Sequence, residues 1–219
     1  MSQGKGWQES LLLNVFKSGK DAKEAKLTDD QILELFKQCS ALIEGHFLLT
    51  SGRHSNRYLQ CALVLQYPAV AARLCAHLIK KIPDYQAIEV VIGPALGGVT
   101  LAYEMASQLN AMALFAERED NVMTLRRGFQ IEKGAKVLVV EDVITTGGSV
   151  KETVKVVEAQ GGQVVGIASL VDRSNGKVEL GYPLFSALSM EVVSYLPEEC
   201  PICKEGLPLV KPGSRKVSK

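Results

Sequence analysis

The stretch KVLVVEDVITTGGS, residues 136–149, decides the reading of this chain. Val137 to Val140 form a continuous apolar, mostly β-branched run, which suits a strand buried on both faces of a parallel sheet. Two adjacent carboxylates, Glu141 and Asp142, follow at its carboxyl end, and then Thr145, Thr146, Gly147, Gly148 and Ser149 lead into the helical pattern VKETVKVVEA. A strand that turns directly into a helix is half of a βαβ unit. The carboxyl edge of such a sheet is where α/β proteins gather their ligands.

On either side of this stretch the same alternation recurs. IEVVIG (88–93), MALFAE (112–117) and QVVGIASLV (163–171) read as further short strands, and helical patterns at about 97–109 and 149–160 separate them. Upstream, Pro68 opens a helix carrying Val70, Leu74, Leu78 and Ile82 on one face, and Pro83 ends it. LTDDQILELFKQCSALIEG offers Thr28 as a cap, acids in its first turn, and Ile32, Phe36, Cys39 and Ile43 at helical spacing, with Gly45 as the stop. The fold class expected is therefore α/β, one parallel sheet flanked by helices. REDNVMTLRRGFQIEKG (118–134) breaks the pattern: it is polar, holds Arg118, Arg126 and Arg127, and reads as a flexible hairpin or long loop.

The totals narrow the classes of function. The 219 residues carry 25 basic and 24 acidic side chains, a formal charge of +1, so no general attraction to nucleic acid or anionic membrane is expected. No apolar leader and no membrane-length stretch is visible, and five cysteines, an odd number, do not suggest a disulfide framework. A cytoplasmic protein with reduced thiols is the expectation.

What the opening stretch binds follows from its composition. The glycines let the backbone approach a ligand closely, and the N–H groups and hydroxyls of TTGGS at a helix N-terminus suit an anion such as a terminal phosphate. Glu141 and Asp142 would repel a phosphate in contact with them, yet they stand just ahead of the turn, placed to accept hydrogen bonds from sugar hydroxyls. The combination describes a ribose bearing a 5-phosphate. An ordinary capped strand-to-helix turn is the plainer alternative. The glycine-lysine-serine/threonine ending of a P-loop is absent, and GPALGG lacks the dinucleotide-binding spacing.

VLVVEDVITTGGS resembles the phosphoribosyl-pyrophosphate (PRPP) signature of the type I phosphoribosyltransferases. HFLLTSGRHSNRYLQ (46–60), VIGPALGG (91–98) and SLVDRS (169–174) are similar to the orotate-using branch of that family, and the four stretches together span most of residues 45–175. The resemblance implies conversion of orotate and PRPP to orotidine 5-monophosphate and pyrophosphate, as in pyrimidine (UMP) biosynthesis, with Mg2+ as cofactor. It also implies a single domain over residues 27–195, with a hood at about 27–67 and a core at about 68–195, between a polar N-terminal extension (1–26) and a C-terminal tail (196–219). Carried over residue by residue, PRPP falls to Glu141, Asp142, Val143, Ile144, Thr145, Thr146, Gly147, Gly148 and Ser149, with Arg118 on its phosphate groups. Orotate falls to Arg173, whose planar guanidinium suits a carboxylate, and to Thr145. Asp142 would also assist the metal, directly or through water. The arginine loop reaches a neighbouring subunit's site in relatives, so a homodimer is implied.

The chain departs from the family pattern at several charges. Thr50 stands where a lysine precedes SGR, Leu96 and Gly97 stand where an aromatic and a lysine follow GPA, and the loop lacks the usual lysine and histidine. Fewer cations around a pyrophosphate weaken transition-state stabilisation unless other donors replace them, and Arg126 and Arg127 are the candidates for that catalytic role. The tail CPICKEGLPLVKPGSR is similar to that of a bacterial subgroup with like departures, which implies a variant enzyme. Two other functions share the scaffold: transfer to a purine base, and PRPP sensing without turnover.

Cys200 and Cys203 have the spacing of half a zinc site, but no second such pair occurs and a plain turn is the expectation. His46 and His54, which flank FLLTSGR, have no sequence partners that define a triad or metal site, and are expected to be structural or exposed. The basic end, LVKPGSRKVSK, reads as a solvated, mobile tail.

Overall fold

The computed structural model describes residues 26–49 and 51–212. The polar extension (but for Lys26), Thr50 and the last residues, 213–219, therefore lie outside the described residues.

Strands β3 (Val90–Pro94), β4 (Met112–Glu119), β6 (Lys136–Ile144), β7 (Gln163–Asp172) and β8 (Leu184–Ser189) run parallel, and β5 (Val122–Thr124) adds an antiparallel edge. The order across this sheet is β5-β4-β3-β6-β7-β8, so the strand of the opening stretch is central. Its two faces pack differently. Leu138 and Val140 belong to a core with α3 (Pro68–Ile79) and α4 (Gly97–Leu109), whereas Val137 and Val139 pack with Val150, Val154 and Val157 of α5 (Gly148–Ala159). Each such fully buried aliphatic side chain contributes about 1.5–3 kcal/mol, which is why a continuous apolar run is needed here.

A second, smaller sheet stands apart: β1 (Leu42–Leu48), β2 (His54–Leu59) and β9 (Ser194–Tyr195) are antiparallel in the order β1-β2-β9. It corrects one expectation. The N-terminal helix α1 covers only Asp29–Gln38, and Ile43 and Gly45 belong to β1. The helix is capped as the sequence predicts, by reciprocal bonds between Thr28 and Gln31. It stops early because Ser40 takes φ 54° and Ala41 N–H returns to Phe36 O at 2.7 Å, closing the helix before the apolar period runs out. A short α2 (Ala62–Leu65) links the small sheet to α3.

The segment 118–134 is a hairpin, β4–β5, followed by an irregular stretch that is anchored rather than loose. Ile131 is buried, and Phe129 meets Phe115 edge to face with ring centres 5.3 Å apart. After β9 the chain forms the short helix α6 (Pro201–Lys204) and returns to the small sheet, where Val210 pairs with Phe47. The second residue of the stretch expected to be mobile, Val210, is thus bonded to β1.

Candidate active site

Alternation along β6 divides the site. Because successive strand residues face opposite sides, Glu141 continues the face that packs on α5 and Asp142 the face that packs on α4. Glu141 accordingly lines a cleft of about 220 Å3 with Arg118, Glu152 and residues 143–150. Asp142 lines a second, of about 560 Å3, with Gln60, Ala62, Leu65, Gln66, Leu96, Gly97 and Thr100. One strand end therefore serves two adjoining clefts.

The first cleft has the form of an anion cradle. Gly147 adopts φ 72°, and a Cβ there would collide with Leu180, so glycine is required twice over. It caps α5 with no side-chain hydrogen bond, which leaves the first N–H groups of the helix turned toward the cleft with their partial positive charge. Thr145, Thr146 and Gly148 are exposed in this turn and Ser149 is half-buried. Ile144 differs from its neighbours: its side chain is fully buried, so only its backbone serves the cleft.

The two acids are held tightly. Asp142 N–H donates to Glu141 Oε1 at 3.3 Å, and Val143 N–H to Asp142 Oδ1 at 2.8 Å. Burial, and then the neighbouring Asp142 charge, push the Glu141 carboxyl up to about 8. Burial raises Asp142 as well. Burial works against charge on both acids, and hydroxyl donors or a cation beside them would favour it. Gly97 makes room for this arrangement, since a Cβ at that position would lie 2.5 Å from Asp142 Oδ1. Gly97→Ala is expected to cost about 1–3 kcal/mol through overpacking, seen as a lower urea midpoint at unchanged m-value.

Arg173 opens the turn after β7. Its backbone N–H is bonded to Ile144 O at 2.8 Å, which ties this turn to the end of β6. The buried Asp172 fixes the turn by accepting from Ser174 N–H at 2.8 Å, Ser174 Oγ–H at 2.6 Å and Gly176 N–H at 2.8 Å. The Arg173 guanidinium is half-buried, its Nε has no hydrogen-bond partner among the described residues, and burial lowers its pKa. It feels Cys61, a buried thiol pushed well up by burial, whose Sγ–H points to Asp142 O at 3.7 Å. Arg173 lines neither of the two clefts; its link to the Asp142 side runs through Cys61, which feels the charges of both Asp142 and Arg173.

The three arginines of the 118–134 segment are already engaged. Arg118 lies in the first cleft but meets Glu152 at 2.7 Å and donates to Asn121 O at 3.1 Å. Arg126 reaches Glu119 at 3.1 Å, Arg127 reaches Glu117 at 3.0 Å, and neither lines either cleft. Arg127 also stacks over the Phe115 ring, 5.5 Å from its centre. Arg53 of the SGR stretch fastens the small sheet, donating to Ser194 Oγ at 2.9 Å and Ser194 O at 2.7 Å.

Two groups of residues were missed in the sequence. Gln60, Gln66 and Thr100 line the Asp142 cleft from elements whose sequence carries no ligand motif. Away from both clefts, His46, His54, Cys200 and Cys203 converge, with all four candidate ligand atoms within 4.8 Å of one another. Cys200 and Cys203 are therefore not in a plain turn, and His46 and His54, expected to be structural or exposed, are both buried beside them. Adding the two half-patterns would have produced a complete ligand set of four.

Similarity to known proteins follows the same lines. The family described as phosphoribosyl transferase domain matches residues 64–195. The orotate phosphoribosyltransferase of Caldicellulosiruptor bescii is 60% identical over 190 residues, 87% of this chain and 100% of that one. That of Pelotomaculum thermopropionicum is 58% identical over 191 residues, again 87% of this chain and 100% of the relative. Among solved structures, the orotate phosphoribosyltransferase from Aeropyrum pernix superposes with a TM-score of 0.60 at 27% identity, covering 73% of this chain and 93% of that one.

Proposed function

The chain belongs to the phosphoribosyltransferase family, in its orotate-using branch, and from that membership we propose how its own residues carry the reaction. Orotate and PRPP are the substrates, orotidine 5-monophosphate and pyrophosphate the products. A ring nitrogen of orotate bonds to the anomeric carbon as the bond to pyrophosphate breaks, with inversion through an oxocarbenium-like transition state, and the proton of that nitrogen passes to the departing pyrophosphate or to water.

In this reading Thr145, Thr146, Gly147, Gly148 and Ser149 receive the 5-phosphate at the start of α5, where free N–H groups and hydroxyls surround an anion. Glu141 and Asp142 accept hydrogen bonds from the ribose hydroxyls from either side of the strand end. Arg173 grips the orotate carboxylate and Thr145 contacts the base. Neither a guanidinium nor a threonine hydroxyl is a base for the ring N–H, so their task is positioning. Arg118 exchanges Glu152 for a phosphate group of PRPP.

Mg2+ fits the donor chemistry, because Glu141 and Asp142 offer hard carboxylate oxygens, one to each of the two clefts, at positions whose burial raises both pKa values. When bound, the ion would neutralise charge growing on the departing pyrophosphate, with Asp142 holding it directly or through water. We extend the proposal to a homodimer. Arg126 and Arg127 lie outside the lining of their own chain's clefts, which suits a role at a neighbour's pyrophosphate once their ion pairs to Glu119 and Glu117 open. Residues 27–67 then act as a hood over the core at 68–195, and the tail from 196 joins the hood. No helix among the described residues is long and apolar enough to cross a membrane, and the described cysteines are free; a cytoplasmic setting is consistent with both.

The observation that supports the choice of orotate is the place of Arg173, half-buried in a turn whose backbone is tied to the end of β6, since a neutral purine would give that charge no partner. Purified protein with Mg2+ and PRPP is expected to consume orotate, followed by its ultraviolet absorbance, in preference to adenine, guanine, hypoxanthine or uracil. Turnover of a purine without turnover of orotate would replace this reading with a purine-base transferase.

A further inference from the structure

We propose that His46, His54, Cys200 and Cys203 form a structural zinc site that clips the C-terminal segment to the small sheet. The ligand atoms converge from three places. His46 and Leu48 lie two apart on β1 and so share a face, and Leu48 stands opposite His54 on β2; the two histidines are thus diagonal neighbours on one side of the hairpin. Cys200 and Cys203 flank the first turn of α6, which Pro201 opens, and this short turn turns both sulfurs toward the hairpin.

Four of the six ligand separations approach those of tetrahedral coordination, and all lie within 4.8 Å. Zinc bonds of about 2.0–2.1 Å to nitrogen and about 2.3 Å to sulfur require ligand separations of about 3.3 Å for N···N and about 3.6 Å for N···S. His46 Nε2 and His54 Nδ1 are 3.0 Å apart. Cys200 Sγ and Cys203 Sγ each lie 3.6 Å from His46 Nε2, and Cys203 Sγ lies 3.3 Å from His54 Nδ1.

Hydrogen bonding alone does not account for this packing. His46 Nδ1 lies 2.9 Å from Leu207 O and must donate to it, so Nε2 presents a single lone pair inward. Three polar atoms crowd that one lone pair: His54 Nδ1 and both sulfurs. A cation at the centre would satisfy all four ligands at once, and the Leu207 carbonyl is then the outer partner that orients a ligating imidazole. Two imidazoles and two thiolates in a closed set select zinc over harder ions, and with no open position the role is structural. His46, His54 and Cys200 are buried, and Cys203 leaves the ion a route from solvent.

The clip closes a junction that is otherwise thin. Val210 N–H donates to His46 O and Leu48 N–H to Val210 O, both at 2.8 Å, and β9 pairs with β2 over two residues. The metal would add a bond set that spans more than 150 positions of sequence, between His46 and Cys203.

The test uses the full chain purified without a polyhistidine tag. Elemental analysis is expected to find about one zinc per chain, and the Cys200→Ser/Cys203→Ser double variant to lose it. Cobalt(II) substitution should give the thiolate charge-transfer and intense visible bands of a tetrahedral site, and a strong chelator should lower the Tm of the wild type but not of the double variant. Protein with far less than one zinc after growth in zinc, or with equal zinc in wild type and double variant, would overturn the proposal. So would a Cys200–Cys203 disulfide in metal-free protein. The wild-type metal content decides the matter even if the double variant fails to fold.

Discussion

Arg173→Ala is expected to lower kcat/KM for orotate by roughly 30- to 1,000-fold, equivalent to about 2–4 kcal/mol, the range for removing one partner of a desolvated charge pair. The loss should fall mainly on orotate, with the KM for PRPP little changed. The turn itself is fixed by Asp172 through the backbone of Ser174 and Gly176 and the Ser174 hydroxyl, so removing the guanidinium leaves its support in place. Arg173→Lys should recover only a small part of the activity, because one ammonium does not reproduce a planar two-pronged donor on a carboxylate. Steady-state kinetics with each substrate varied separately checks this. Unchanged orotate kinetics in the alanine variant would remove Arg173 from the base site.

Asp142→Asn should reduce kcat/KM for PRPP by about 100- to 1,000-fold, the scale expected when a preorganised charge beside the developing cation and leaving group is deleted. The reduction should be the same in the reverse direction, from orotidine 5-monophosphate and pyrophosphate, because the lost contact is to the sugar and not to the base. An asparagine retains an Oδ1 acceptor for the Val143 N–H, so the fold and its denaturation midpoint should be close to those of the parent. Activity near the parent's would move the principal acid to Glu141.

How far the sequence disclosed this architecture depends on where each signal resides. The parallel strands were legible because burial on both faces demands uninterrupted apolar runs, and those runs are local. β6 and α5 agree with the reading of 136–160 to within a few residues. α1 was read too long because Ile43 falls in register with the helical stripe, and nothing before Ser40 announces its left-handed turn. The small sheet escaped because β1 and β2 alternate only weakly, and their pairing is interrupted by a register shift between Glu44 and Phe47. The turn proposed to hold the phosphate was visible for a different reason: its residues, 145–149, are consecutive in the chain. The histidine–cysteine cluster is the opposite case. His46 and Cys200 are 154 positions apart, and only the fold makes them neighbours. Arg126 and Arg127 fall between, since their hairpin was visible but the acids that hold them, Glu117 and Glu119, lie on the strand before it.

The opposite orientation of Glu141 and Asp142 constrains how this gene can change in length. An insertion or deletion of one codon within Val137–Val140 would exchange the acids between the two clefts and invert every core contact of the strand. Codons added at the tip of the β4–β5 hairpin would shift nothing on β6. Length variation among descendants of this gene should therefore collect at the hairpin, while the central strand keeps its count.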